Sequence, residues 1–291
     1  MNLPNLDTVV KSELGSLLSK LEDSLNSDVV FFYGPILHSV DRLFRNFIEQ
    51  LKGDETNHTK LTIMLNTPGG YVEPVEKMVN ITRHFYTEVD FIVPDTAMSA
   101  GTIFCMSGDN ILMDYSSSLG PIDPQIQKEG RFVPALGYLD KVNEIIEKSA
   151  KGKMTSADII LLQKQDLAML RSFEQALNLS VTLLKEWLVK YKFKNWDTHQ
   201  TTPEKIGTPV TQEEKEERAE EIARILGDNN IWHSHGRSIN LNRLQTVLRL
   251  KIQDYGEKPE LGKIIRDYND LICDYIRRSN LELFLHSRNY F

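Results

Sequence analysis

The chain has 291 residues, of which 41% are hydrophobic and 26% are charged, a composition typical of a folded globular protein. Its formal net charge of −7 disfavours a protein that binds nucleic acid mainly through phosphate contacts. We predict a cytoplasmic protein without a transmembrane segment. The first segment has no secretory signal pattern, no apolar run reaches ~20 residues, and the two cysteines are far apart in the sequence.

The first half of the chain alternates predicted strands and helices. Short apolar runs that end at turn residues predict strands, and longer segments with apolar residues at helical spacing predict helices. This alternation indicates βαβ units and a mostly parallel sheet. The predicted elements are helices over 8–25, 40–51, 72–85 and 100–106, and strands over 29–33, 61–65, 89–93 and 111–113.

Helical patterns dominate the chain after residue 124. We predict helices over 136–150, 156–191, 213–226 and 261–276, with a polar connection over 195–212. The predicted organisation is an α/β domain over 1–255, which includes the long helices and a return segment, and a C-terminal helical extension over 256–291.

Two short motifs in the α/β part indicate chemistry. The predicted strand over 61–65 runs into Pro68-Gly69-Gly70, a turn whose backbone amides no side chain obstructs. About thirty residues later, Ser99 precedes an apolar helix, where unpaired amides and the helix dipole favour a developing negative charge. A serine and free amides are the parts of acyl-transfer catalysis: a nucleophile and an oxyanion hole. The structural alternative is a plain turn and a helix N-cap serine.

The region over 61–125 resembles the superfamily of Clp proteases and signal peptide peptidase A. Three segments are similar, more narrowly, to the serine dehydrogenase proteinase family: 119–125 (Leu-Gly-Pro-Ile-Asp-Pro-Gln), 184–188 (Leu-Lys-Glu-Trp-Leu) and 234–237 (Ser-His-Gly-Arg). The resemblance implies a ClpP/crotonase-like α/β fold of stacked ββα units. It also implies that Ser99 is the nucleophile, that Gly69 and Gly70 supply one oxyanion-hole amide, and that Ala100 supplies the other.

The sequence leaves more than one candidate for the general base. The histidine that Clp proteases carry about twenty-five residues after the nucleophile is absent, and Asp123 lies in its place. Our preferred hypothesis is a rearranged triad of Ser99, His235 and Asp123, with base and carboxylate exchanged in chain position. A turn histidine bonded to backbone is the structural alternative for His235. Signal peptide peptidases use a lysine instead, and the lysines that could serve are Lys141, Lys164 and, foremost, Lys185.

The function predicted from these features is a serine peptidase that acts on polypeptides and needs no cofactor or metal. The alternatives are a catalytically silent scaffold and, less favoured, a crotonase-type acyl-CoA enzyme. The fold also leads us to expect a homo-oligomer, for which the exposed faces of the helix over 261–276 are candidate assembly surfaces. Because the chain has no Gly-x-x-x-x-Gly-Lys loop, any ATPase that unfolds its substrate would be a separate partner.

Overall fold

The computed structural model describes residues 6–53, 58–123, 125–128 and 131–289, and the side chains of 131–136 and of 125–128 lie outside the description. Strands and helices alternate through the first half, and helices dominate the second. The strands are β1 (Asp28–Tyr33), β2 (Lys60–Asn66), β3 (Glu88–Ile92), β4 (Thr96–Ala97), β5 (Asn110–Met113), β6 (Ser118–Leu119), β7 (Gln125–Lys128), β8 (Arg131–Pro134), β9 (Ile239–Asn240), β10 (Gln253–Asp254) and β11 (Phe284–His286).

The helices agree with the predicted ones at most positions, with ends shifted by a few residues. They are α1 (Leu6–Leu25), α2 (Val40–Gly53), α3 (Val72–Phe85), α4 (Ala100–Met106), α5 (Ala135–Ala150), α6 (Ser156–Gln163), α7 (Leu167–Trp187), α8 (Gln212–Gly227), α9 (Asn229–Trp232), α10 (Leu241–Thr246) and α11 (Pro259–Arg278).

The core of the fold is a six-stranded sheet in the order β10-β5-β3-β2-β1-β11. Every neighbouring pair in it is parallel except β1 and β11. Helices connect the parallel strands, as βαβ crossovers require. The predicted α/β fold with a mostly parallel sheet is therefore confirmed.

Two apolar layers cover the two faces of this sheet. Alternate side chains of β1 point to opposite faces, so Val30 and Phe32 join the core under α2, α3 and α4, whereas Val29 and Phe31 join the core under α1 and α11. Most of the apolar side of α11 is buried within the chain, with Ile265 and Ile272 completely buried and Ile264 and Leu271 partly exposed. This helix thus packs mainly within the chain, and its use as an assembly surface stays a prediction.

The predicted single helix over 156–191 is wrong. It is divided into α6 and α7, because Asp166 accepts hydrogen bonds from the amides of Ala168 and Met169 and so caps a new helix at Leu167. A short π-helical turn, Leu188–Lys192, then extends α7. Within the described residues, no helix combines the length and apolar character needed to cross a bilayer.

A second, smaller sheet positions the residues that concern function. It has the order β4-β6-β9, with β4 and β6 parallel and β9 antiparallel to β6. The chain that leaves β4, the chain that leaves β6 and the chain that enters β9 therefore all lie at the same edge of this sheet.

Candidate active site

Ser99 lies in the sharp turn between β4 and α4. Its backbone has φ 51° and ψ −115°, in the left-handed half of conformational space that non-glycine residues seldom adopt. It occupies the N-cap position of α4, but its side chain makes no capping hydrogen bond, and the residue is half-buried. The hydroxyl therefore does not cap the N-terminus of α4, which distinguishes Ser99 from an ordinary N-cap serine.

The glycine turn packs directly against this serine. Gly69 has φ +98°, and a Cβ added to it would lie 2.7 Å from the carbonyl oxygen of Met98 and 2.9 Å from the Cβ of Ser99. A parallel bridge between Thr67 and Ala97 holds the two turns side by side, with the Met98 amide donating to the Thr67 carbonyl over 3.0 Å. Only glycine allows this close approach.

The two glycines differ in what their amides do. The Gly69 amide donates to Thr67 Oγ1 over 3.0 Å, and that hydroxyl in turn donates to the Gly34 carbonyl over 2.7 Å. In contrast, the amides of Gly70 and Ala100 donate to no other group in the part of the chain that the structure describes. Gly70 is also exposed, and the amides of Gly70 and Ala100 are therefore among the unpaired donors of these two turns.

A carboxylate–imidazole pair lies at the same edge of the small sheet. His235 Nδ1 is 2.8 Å from Asp123 Oδ1, and the Asp123 side chain is 1% exposed whereas that of His235 is 23% exposed. An ionised carboxylate accepts the Nδ1 hydrogen, which leaves the neutral ring with Nε2 as its free acceptor. This tautomer is the one that can remove a proton from a hydroxyl.

The topology explains why distant segments meet here. Ser99 follows β4 by two residues, Asp123 follows β6 by four, and His235 precedes β9 by four. Because these strand ends share one edge, the three side chains belong to the same end of the small sheet. Among the described residues, however, no hydrogen bond joins the Ser99 hydroxyl to His235 or to any other group. The structure brings His235 and Asp123 into contact and leaves the serine unengaged.

Two further residues, which sequence reasoning did not single out, hold this arrangement. The buried Thr102 hydroxyl contacts the carbonyls of Ala97 and Gly120, each over 2.8 Å, and so ties the serine turn to the segment that leads to Asp123. Trp232 is 2% exposed and donates from Nε1 to the Ile225 carbonyl over 2.6 Å, which anchors the loop that carries His235. Thr102 follows Ser99 by about one helical turn, and this spacing is the sequence feature that could have identified it as a supporting residue.

The lysines considered as alternative bases are engaged elsewhere or exposed. Lys185 donates to Glu220 over 2.7 Å, and this pair lowers the pKa of the Glu220 carboxyl. Lys141 pairs with Glu144 over 2.8 Å, and Lys164 ends α6 at the surface.

One lysine that the sequence did not indicate has a perturbed pKa. Burial lowers the pKa of Lys192 to about 8. Its Nζ lies 3.4 Å from the carbonyl oxygen of Asp109, which immediately precedes β5. Lys192 therefore lies at the amino end of the main sheet, whereas the serine and glycine turns follow the carboxyl ends of β4 and β2. As for metals, no group of three His, Cys, Asp or Glu side chains that could hold an ion occurs in the described part of the chain.

Comparison with known proteins identifies relatives of the chain. Over 175 residues it is 29% identical to MJ0137 of Methanocaldococcus jannaschii, covering 60% of this chain and 48% of that protein. Over 99 residues it is 29% identical to MJ1495 of the same organism, covering 34% of this chain and 32% of that protein. Both relatives are uncharacterized, and the chain spans about half of the length of the first and about a third of the second.

Two solved structures are similar in part, both of the 1510-N membrane-bound stomatin-specific protease. One matches with a TM-score of 0.46 and 14% identity, covering 80% of this chain and 82% of that chain. The other, in complex with a substrate peptide, matches with a TM-score of 0.33 and 24% identity, covering 40% of this chain and 56% of that chain. The model of one family, described as ClpP-like SDH-type serine proteinase, matches residues 54–203, about half of the sequence. By that match the chain belongs to the ClpP-like SDH-type serine proteinases, the family that the sequence motifs predicted.

Proposed function

We propose that this chain is a serine peptidase that cleaves polypeptides through an acyl-enzyme on Ser99. The observation that carries the proposal is that three sets of groups lie on segments that adjoin the same end of the small sheet. These are a serine in a left-handed turn, amides without partners at Gly70 and Ala100, and His235 bonded to the buried Asp123. Nucleophile, oxyanion donors and oriented base are the groups that acyl transfer requires.

In the proposed reaction, His235 Nε2 takes the proton of the Ser99 hydroxyl as Oγ attacks the carbonyl carbon of the substrate. The Oγ–C bond forms, and the amides of Gly70 and Ala100 donate to the carbonyl oxygen as it becomes negative. The imidazolium then gives its proton to the leaving amine as the C–N bond breaks. Water, deprotonated by the same histidine, hydrolyses the ester and restores the serine. Asp123 stabilises the imidazolium and keeps Nδ1 protonated throughout.

The alternative base, Lys185, is less compatible with this scheme. A base must lose its proton near neutral pH, whereas Lys185 is held in an ion pair with Glu220 on the outside of α7 and α8. The proposal includes unfolded or extracted polypeptides as substrates, a cytoplasmic location, assembly into a homo-oligomer and, where unfolding is needed, a separate ATPase.

The absence of a hydrogen bond to the Ser99 hydroxyl among the described residues supports a second candidate, a scaffold with a catalytically silent site. In that case the serine stays disengaged from His235 in every state of the protein. The peptidase proposal instead requires that substrate or assembly brings Ser99 Oγ to Nε2, since such contacts are often long in unliganded enzymes.

Fluorophosphonate labelling with peptide mapping separates the two candidates. We expect an adduct on Ser99 in the wild type, none in Ser99→Ala, strongly slowed labelling in His235→Ala and unchanged labelling in Lys185→Ala. The exposed His84 provides the matched control, because His84→Ala removes an imidazole far from the site and should label like the wild type. Folded protein that does not label, alone or with an unfolded polypeptide, would contradict the proposal and favour the scaffold.

A further inference from the structure

A hydrogen-bonded network lies at the carboxyl end of the main sheet, beside the origin of the two turns. We call Asn66, Asp95, Asn269 and Cys273 the carboxyl-end network. Asn66 Nδ2 donates to Asp95 Oδ2 over 2.8 Å, and Asn269 Nδ2 donates to the same oxygen over 3.0 Å. Cys273 Sγ lies 3.7 Å from Asn66 Nδ2 and 3.6 Å from Asn269 Oδ1. Four side chains from three separate segments are thereby joined.

Two members of the network directly precede the turns of the candidate site. Asn66 is the last residue of β2 and leads through Thr67 to the glycine turn. Asp95 precedes β4 and leads to Ser99, and its carbonyl accepts the Ser118 amide over 2.9 Å. One residue further along each segment, the Thr67 amide donates to the Thr96 carbonyl over 2.9 Å. The network therefore joins the two segments just before they run side by side toward the oxyanion amides and the nucleophile.

The third segment is α11, which lies outside the residues matched by the family model. Asn269 is 4% exposed on a helix face that is otherwise apolar, with Tyr268 and Ile272 buried beside it. A buried amide is stable only when its donors and acceptor are paired, so the contacts of Asn269 are required where it stands. Burial raises the pKa of Cys273 to about 11, so the thiol keeps its proton and donates to Asn269 Oδ1. That bond orients the amide so that Nδ2 faces Asp95.

We propose that Asn269 is a positioning residue for the active site, acting through Asp95 and Asn66 to fix the glycine turn relative to the serine turn. This inference rests on the proposed function, because it assigns the network a role in the oxyanion hole formed by Gly70 and Ala100. Two donors stabilise an oxyanion only when their separation is held before the reaction, and misplacement by about 1 Å costs up to ~100-fold in rate. The C-terminal helix is thereby part of the catalytic apparatus.

The test replaces the donor by an acceptor and then restores it. Asn269→Asp places a carboxylate against Asp95, which breaks the bond and adds repulsion. The double variant Asp95→Asn with Asn269→Asp exchanges the two groups, so that an amide again donates to a carboxylate. The oxygen of the amide introduced at position 95 still accepts from Asn66 in this variant. Asn80→Asp is the matched control, because it makes the same substitution on the exposed side of α3.

The first readout is native-state hydrogen exchange at residues 66–72 and 95–101, which needs no catalytic activity. We expect Asn269→Asp to speed exchange in both segments by roughly tenfold or more, a loss of local protection. The double variant should return to the wild-type rate, and Asn80→Asp should not differ from it. Unchanged exchange in folded Asn269→Asp overturns the proposal, whether or not Ser99 is reactive.

The second readout is the rate constant for fluorophosphonate labelling of Ser99. We expect the labelling rate constant to fall by about tenfold or more in Asn269→Asp, because the oxyanion-hole amides are misplaced. It should recover in the double variant, which restores their positions. Faster exchange with unchanged labelling overturns the positioning role and leaves the network purely structural. If Asn269→Asp exchanges faster but the wild type does not label at all, the peptidase function is contradicted, and with it the role of Asn269 in catalysis. The structural coupling of Asn269 to the two turns would still hold.

Discussion

Buried charges are paired at the amino end of the main sheet, whereas the turns near its carboxyl end leave backbone amides unpaired among the described residues. At the amino end, Arg288 donates to Glu22 over 2.6 Å and to Asp28 over 2.9 Å, and Tyr86 donates to Asp28 over 2.7 Å. Asp28 is completely buried there, and both carboxylates face the same guanidinium. At the other end, the turns that follow β2 and β4 leave backbone amides unpaired among the described residues and place Ser99 in a left-handed conformation.

This difference separates stability from function in one molecule. A buried charge that loses its partner destabilises the fold strongly, so the pairs at the amino end are needed for stability. Unpaired donors and a strained backbone cost stability, and they persist where a ligand or a transition state uses them. Substitutions at the amino end should therefore change the free energy of unfolding, and substitutions at the carboxyl end should change reactivity.

The largest expected effect is the loss of activity in Ser99→Ala. We expect hydrolysis of an unfolded polypeptide to fall by at least ~1,000-fold, because the nucleophile is removed while binding and the hole remain. The melting temperature should stay close to that of the wild type, since the hydroxyl makes no hydrogen bond among the described residues. Ser16→Ala, at an exposed position of α1, is the control and should retain full activity. Residual hydrolysis above about one tenth in Ser99→Ala would contradict the assignment.

The next effect is a loss of stability without a loss of reactivity in Arg288→Ala. The change leaves Asp28 buried without its guanidinium partner, so we expect the free energy of unfolding in urea to fall by about 4 kcal/mol. Arg278→Ala removes a surface pair with Asp274 whose arginine side chain is 72% exposed, and should cost less than about 1 kcal/mol. Folded Arg288→Ala should label at Ser99 at the wild-type rate. Slowed labelling would show that the two ends are not independent.

A third substitution should affect both properties, because Gly70 is tightly packed and also carries an unpaired amide. In Gly70→Ala, the new Cβ would lie 2.2 Å from the Ile36 carbonyl oxygen at φ +148°, so the turn must shift. We expect a cost of roughly 3 kcal/mol and a slower reaction of Ser99, because the shifted turn carries a proposed oxyanion donor. Gly15→Ala meets no atom within 4 Å in a helix and should stabilise by up to about 1 kcal/mol. Equal stability of the two variants would contradict the tight packing of Gly70.

The smallest effect concerns pH. His286 is buried against Tyr268, and burial lowers its pKa from 6.5 to about 4. In the unfolded chain His286 takes up a proton below about pH 6.5, whereas in the folded protein it does so only near pH 4. Stability therefore falls as the pH falls from about 6.5 to about 4. Between about pH 7 and about pH 5 the contribution is about 2 kcal/mol. Urea unfolding should show that His286→Gln loses this part of the pH dependence, while the exposed His84→Gln keeps it. An unchanged pH dependence in His286→Gln would contradict the lowered pKa.

Elements that are defined by local apolar spacing and flanking turn residues could be predicted from the sequence. Helix α3 and helix α4 agree with their predicted bounds, because apolar spacing and flanking turn residues define both. Strands β4, β6 and β9 have two residues each, too few for any periodicity, although they bring the site together. The contact of Asp123 with His235 spans 112 positions, so a resemblance to a known family suggested it and no spacing could. The link from Asn269 to Asp95 spans 174 positions and had no sequence signal.

The central claim is that His235 and Asp123 act together on Ser99. The most direct measurement is the labelling rate of Ser99 in His235→Ala, in Asp123→Asn and in the variant with both changes. Residues that act as one unit are strongly non-additive, so we expect each single change to slow labelling by at least ~100-fold and the double variant to be no slower than His235→Ala alone. Losses that multiply in the double variant, or labelling that neither change slows, would contradict the triad.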